Sequence, residues 1–280
     1  METVAVVGVG LIGGSFALAL RKAGFAGRIL GVSSAPALRS ALESSAIDEG
    51  LPLEQAVPRA DLIYLAQPIR RILDTLPALD PLLRPGVLVT DAGSTKRRIV
   101  EAGRASIRRA QFLGGHPMAG KEKRGVEEAD PDLFTGRPYV LTPVTPGEME
   151  TPAARDFTEW LSRIGAVLVR VTPEEHDRLV ALSSHLPQLA STALAASLAG
   201  ESELARVAGP GLLDMTRLAM SAYDIWGDIL HTNADQIEAA VAAYVATLER
   251  IRSRLPAGEL APDFQAAATF ARNLRTPESR

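Results

Sequence analysis

The stretch VAVVGVGLIGGSFALAL, residues 4–20, constrains the fold of this chain more than any other. A short apolar run leads into Gly8, Gly10 and Gly13, and a helical pattern follows at once. In a strand–turn–helix unit of this kind the first glycine makes the tight turn, and the second lets the backbone approach a pyrophosphate. The third allows close packing of helix on sheet, and the helix N-terminus offers unpaired N–H groups to the anion. Three glycines at this spacing are weak evidence alone, but here both flanking elements are present. The unit is expected to bind a dinucleotide through Gly8, Gly10, Leu11, Ile12 and Gly13.

Such a unit needs a sheet around it. Short apolar runs recur at Val4–Val7, Ile29–Val32, Leu62–Ala66, Val87–Thr90, Phe112–Leu113, Tyr139–Leu141 and Val167–Val171. Stretches between the early runs carry helical periodicity, as in Leu11–Ala23 and Arg70–Leu83. Strands alternating with helices predict βαβ units in a mainly parallel, Rossmann-type sheet. After Thr172-Pro173 the strand patterns stop. From Glu174 onward everything reads as helix, including Asn233–Leu255 with apolar positions at Ile237, Val241, Tyr244, Val245, Leu248 and Ile251. The fold class is therefore α/β, with a dinucleotide-binding domain over residues 1–172 and an all-helical substrate and dimerisation domain over 173–280.

The helical part has little sheet to pack on, so its apolar stripes need another partner, and a homodimer is expected. Within it, LASTALAASLA (Leu189–Ala199) either lets helix backbones approach closely or simply favours helix. The tail after Asn273 is expected to fray.

Composition narrows the function classes. With 280 residues, 46% hydrophobic and 22% charged, the chain is an ordinary globular one with room for two cores. A net charge of -3 gives no reason to expect nucleic acid or an anionic membrane. With no cysteine, disulfides, Cys-ligated zinc and thiol catalysis are excluded. METVAVVGVG lacks a basic leader pattern, and no apolar run reaches the roughly 18 residues of a membrane span, so a cytoplasmic location is expected.

The ends of the strands carry the chemistry. RILGVSS ends in Ser33 and Ser34, where an NAD site would place an acid for the ribose 2′-OH. Nothing there repels a 2′-phosphate, and Ser33, Ser34 and Arg39 could contact one, so the cofactor is NADP or NAD with a lean to NADP. LAQP places Gln67 and Pro68 at the next strand end, and TDAGSTK delivers Asp91, Ser94 and Lys96. Ser94 could alternatively cap a helix starting near Thr95.

GGHPMAG then brings His116 to the same edge. Glycines before it and proline after it predict a rigid turn, with Gly114 and Gly115 leaving room for a bound ring. An imidazole there can accept a proton from a substrate hydroxyl at neutral pH.

The other histidines do not suggest a metal site. His176 and His185 lie nine residues apart, on opposite faces of a straight helix, and His231 has no partner at ligand spacing. Pro187 must perturb the helix at SSHLPQ, and a polar cluster at a kink either lines a cavity or is satisfied at an interface. Arg217 either pairs with Asp214 at i, i+3 or binds a carboxylate.

Strand–GVGLIGGS, TDAGSTK, GGHPMAG, PYVLTP, SSHLPQ and GPGLLDMTRLA, in that order, resemble the prephenate and arogenate dehydrogenases of tyrosine biosynthesis over nearly the whole chain. The resemblance implies an N-terminal nucleotide-binding domain, a helical domain that forms the dimer, and oxidative decarboxylation of a cyclohexadienyl substrate. It implies His116 as the catalytic histidine on the ring C4 hydroxyl and Ser94 as the serine orienting it. It also implies Arg217 on a substrate carboxylate and His185 at the site. Gln188 stands where many members carry a second histidine, and it can donate a hydrogen bond but carry no charge. Leu212-Leu213 replaces a frequent Phe-Arg, which leaves Arg217 to act more alone. The product would be 4-hydroxyphenylpyruvate from prephenate or tyrosine from arogenate. Two alternatives compete: a β-hydroxyacid dehydrogenase, which needs a lysine in the second domain where none follows Lys123, and a dinucleotide-sensing module without turnover.

Overall fold

The protein, described by a computed structural model over residues 1–121 and 123–276, divides into two compact units, Met1–Ala234 and Asp235–Arg280. The first unit opens with β1 (Thr3–Val7), α1 (Leu11–Lys22), β2 (Arg28–Val32), α2 (Ala35–Glu43), β3 (Glu49–Gly50) and α3 (Leu53–Ala56). It continues with β4 (Leu62–Leu65), α4 (Ile69–Leu79), β5 (Leu88–Asp91), α5 (Arg97–Ser106) and β6 (Gln111–Pro117). Then come β7 (Pro138–Thr142), α6 (Pro152–Arg163) and β8 (Val167–Arg170). These make one eight-stranded sheet in the order β3-β2-β1-β4-β5-β6-β7-β8. Pairing is parallel throughout except between β6 and β7. All seven expected strands are present, and the two-residue β3 is an addition.

β1 and β4 are apolar along nearly their whole length because both faces are covered. Val4 and Val6 of β1 enter one core with Phe16, Leu20 and Tyr64, where Phe16 stacks on Tyr64 at 4.0 Å. Ala5 and Val7 enter the other with Ile63, Leu65, Ile72 and Leu76. The strand order reverses between β1 and β4, which opens a crevice at their carboxyl ends.

The expected turn around His116 is not there. β6 runs through Gly114, Gly115, His116 and Pro117, with His116 opposite Val140 of β7. The two glycines are buried, and they clear neighbouring strands rather than make a turn. A Cβ on Gly115 would lie 2.7 Å from the Asp91 carbonyl oxygen, and one on Gly114 would overlap the Thr142 hydroxyl.

The helical part of this unit begins with α7 (Pro173–Val180), whose first turn is capped by the Thr172 hydroxyl accepting from Glu175 N. A five-residue π turn, Ala181–His185, joins it to α8 (Leu186–Leu198). Pro187 follows directly, so the expected perturbation takes this form. The wider turn advances the chain by less rotation per residue than an α-helix. His176 and His185, expected on opposite faces, are instead both buried, and Asn233 Nδ2 touches both the Asp177 carbonyl (2.8 Å) and His185 Nδ1 (3.4 Å). α9 (Pro210–Thr216), a 3-10 turn at Arg217–Met220 and α10 (Tyr223–Thr232) complete the unit.

The second unit is formed by α11 (Ala234–Arg254) and α12 (Ala261–Asn273), with Arg250 and Arg254 both paired to Asp263. The tail expected to fray begins where α12 ends, and its residues 277–280 lie outside the described residues. Among the described residues no helix is long and apolar enough to cross a membrane.

Candidate active site

A groove of about 430 Å³ opens at the crevice between β1 and β4. Its walls include Gly10, Leu11 and Ile12, then Gln67 and Pro68 after β4, Ser94 after β5, and Lys121 and Arg124 of the loop after β6. Gly8, at φ 98°, could carry no side chain, since a Cβ would lie 2.7 Å from the Ala66 carbonyl. A Cβ on Gly13 would overlap the Gly8 carbonyl oxygen, so α1 packs directly on the turn. Gly10 has nothing within 4 Å of its Cβ position, and no side chain caps α1. Open backbone N–H groups over free space are what a pyrophosphate requires. Ser33, Ser34 and Arg39 are exposed at the end of β2 and along α2. The Ser34 side chain makes no capping hydrogen bond.

A second groove, about 520 Å³, shares Gly120, Lys121, Arg124 and Ile225 with the first. Arg217, Leu218, Met220 and Trp226 complete most of its wall. The described walls of this groove carry three cations, Lys121, Arg124 and Arg217, and no acid. Arg124 also makes two 2.6 Å hydrogen bonds to Asp224 of α10. Two aspartates of the helical part close over sheet helices: Asp228 accepts from Arg70 N at 3.0 Å, and Asp177 from Lys96 N and Arg97 N at 2.6 and 3.0 Å.

That second cap decides the alternative left open for Ser94. α5 starts at Arg97, and Asp177, not Ser94, satisfies its first N–H groups. Ser94 is left on the groove wall, and its hydroxyl makes no hydrogen bond among the described residues. His116 keeps a partly exposed edge, and its Nδ1 lies 2.8 Å from Nε2 of His176, whose own Nδ1 lies 2.8 Å from Asp177 Oδ1. In this structure the His116 ring is hydrogen-bonded to His176 and not to Ser94. Burial holds His116 well below the ordinary histidine range, and the neighbouring His176, Lys96 and His185 disfavour its protonation further.

Lys96 and Asp91, expected at the strand ends, are fully buried beneath the site rather than on its wall. They form an ion pair, and Lys96 Nζ also donates to the Gly115 carbonyl at 2.7 Å, fastening β5 to β6. Burial lowers the Lys96 ammonium while Asp91 opposes the shift.

The three residues expected around the substrate separate. Arg217 reaches the groove wall. Gln188 and His185 line neither groove. The buried Gln188 amide donates to the Leu218 carbonyl at 2.8 Å and to Thr192 Oγ1 at 3.2 Å, holding the turn that carries Arg217. His185 is buried edge-on against Trp226, centroids 5.9 Å apart, and burial brings it down to about 4. His176 and Asp177 were not anticipated at the site. An adjacent His-Asp pair at the start of a helix was the visible signal, since such a pair can orient an imidazole. Among the described residues no cluster of acids and histidines could hold a metal ion.

Residues 16–170 match the family model described as prephenate dehydrogenase, nucleotide-binding domain, and residues 172–267 match prephenate dehydrogenase, dimerization domain. The chain belongs to the prephenate dehydrogenase family. A prephenate dehydrogenase of Bacillus subtilis is 34% identical over 90% of this chain and 70% of that protein. A prephenate dehydrogenase structure from A. aeolicus, in complex with hydroxyphenyl propionate and NAD+, superposes with a TM-score of 0.88 at 31% identity and covers 97% of each chain. An arogenate dehydrogenase structure from Synechocystis gives 0.82 at 30% identity, covering 98% of each. The Rossmann-type, mainly parallel sheet with a helical C-terminal part is thus both the expected fold and a fold of this family.

Proposed function

We propose that this family member is a prephenate dehydrogenase, oxidising a ring alcohol with loss of CO2 to yield 4-hydroxyphenylpyruvate. The carrying observation is the pair of adjoining grooves, one over an open glycine turn with Ser94 on its wall and the other bearing Arg217; His116, on β6, lines neither groove. When bound, the nicotinamide accepts hydride from the alcohol carbon. His116 takes the hydroxyl proton, and its low basicity keeps it neutral and ready to do so. Ser94 holds the hydroxyl from the groove wall, and Arg217 holds a carboxylate from the other side. Departure of the ring carboxylate is driven by aromatisation.

No acid lines the described wall of the second groove, which suits prephenate better than the ammonium of arogenate; of its cations, Arg124 is paired with Asp224 and Lys121 with Asp130. Exposed Ser33, Ser34 and Arg39 support use of NADP as well as NAD. We keep the functional boundary at residue 172, close to where the second family match begins. We also place a homodimer on the helical side, where Val207, Met220 and Tyr223 are more than 75% exposed.

Absorbance at 340 nm with prephenate or arogenate, each with NAD+ or NADP+, tests the reading. Reduction with prephenate at a kcat/KM at least ten times that with arogenate is expected. No reduction with either substrate would leave a sensing module. A preference for arogenate would overturn the substrate assignment.

A further inference from the structure

Asp177 is an acceptor at both oxygens, since Lys96 N donates to Oδ1 and Arg97 N to Oδ2. The 2.8 Å contact between Asp177 Oδ1 and His176 Nδ1 therefore carries the hydrogen of the imidazole. A neutral His176 protonated at Nδ1 presents a lone pair at Nε2. That nitrogen lies 2.8 Å from His116 Nδ1, so the hydrogen in this second contact belongs to His116. The Nε2 of His116 is then left as its basic atom. His176 is buried, 1% exposed, and Asp177 is fully buried, so solvent does not compete for either contact.

We propose that His176, itself fixed by Asp177, is a positioning residue that sets the tautomer of His116 and shares the charge His116 gains in the reaction. The proposal rests on His116 being the base. In the step, the substrate O–H bond breaks, an Nε2–H bond forms on His116, and the electron pair of the C–H bond leaves with the hydride to the nicotinamide. The resulting imidazolium keeps its Nδ1–H on the His176 lone pair, with the Asp177 carboxylate one ring further. A carboxylate–imidazole pair does the same for a catalytic histidine in serine proteases. The other charged or titratable groups facing His116 are Lys96 with its partner Asp91, and His185 from the π turn. Lys96, though paired with Asp91, still disfavours a charged His116. His185, brought down to about 4, is neutral at working pH.

The test pairs H176Q, whose amide oxygen can still accept from His116 Nδ1–H, with H176F, which cannot. H176F should lose roughly 10-fold to 100-fold in kcat, as for loss of an orienting partner. KM for substrate and for cofactor should stay within about 3-fold. H176Q should keep at least about a third of native kcat, a rescue that loss of packing alone would not give. Nitrogen-15 NMR of histidine-labelled protein, with the His116 signals assigned by their loss in H116N, reads the tautomer directly. Nδ1–H with a bare Nε2 is expected in the native chain and in H176Q.

A native Nε2–H tautomer overturns the proposal, as does native kcat in H176F. If H176F does not fold, the spectra of the native chain and H176Q decide alone. Full activity in H116N would instead remove the functional reading, while the spectrum still reports the tautomer.

Discussion

A histidine is useful as a base only in the pH range where it is neutral. Burial holds His116 well below its ordinary value of 6.5, so the acid limb of kcat/KM against pH should fall below 6.5. A limb at or above that pH would mean another group limits the reaction. Replacing His116 by Asn should lower kcat by roughly 100-fold or more with KM little changed, the usual loss for a general base. An Asn variant close to native kcat would clear His116 of that role. Just past the end of β2, Ser33 stands exposed where an NAD site would carry a carboxylate for the ribose. Ser33→Asp should set a negative charge against a 2′-phosphate and shift the NAD to NADP ratio of kcat/KM by roughly 5-fold to 150-fold towards NAD. An unmoved ratio would show that this position does not meet the ribose.

At the scale of elements, the buried histidines make the α7 region sensitive to acid. His116, His176 and His185 all have lowered basicity from burial, and His185 sits near 4. Below about pH 6.5 the unfolded chain binds protons that the folded chain refuses. Stability is thus full above 6.5 and is lost as pH falls towards 4, by on the order of 3 kcal/mol for His185. Melting temperature followed from pH 7.5 to 4.5 should fall, and H185Q should flatten the slope; identical slopes would refute this.

The strands were legible because strands such as β1 and β4, buried on both faces, are nearly plain apolar runs, and the glycine turn because its spacing sits directly between a strand and a helical pattern. The setting of His116 was not. Gly114 and Gly115 look like turn residues locally, yet their cause is the Asp91 carbonyl and the Thr142 hydroxyl, both remote in sequence. The joint burial of His176 and His185 was hidden for a related reason: a 3.6-residue period assumes a straight helix, and the π turn at Ala181–His185 breaks it. Pro187 announced a disturbance without its sense. Gln188 was taken for a substrate contact because nothing local reveals that the Leu218 carbonyl engages it.

On the scale of the whole molecule, the helical side should assemble two copies. α8 buries only Gln188 and Ser191, and Val207, Leu213, Met215, Met220 and Tyr223 are all more than half exposed. Apolar area of this extent calls for a partner. Light scattering should give twice the chain mass at micromolar concentration, and melting temperature should rise with protein concentration. A monomer with concentration-independent melting would contradict the dimer.

The two family matches meet near residue 171, but the chemistry does not divide there. Asp177 caps α5 on the nucleotide side and, through His176, reaches His116 on β6. Grafting this nucleotide-binding half onto a foreign helical half would leave the α5 N-terminus bare and the imidazole unheld, even with the glycine turn intact. The halves are therefore poor currency for recombination: a chimera cut at the family boundary should still hold a dinucleotide yet turn over little, unless the donor supplies its own aspartate and histidine at the same two places.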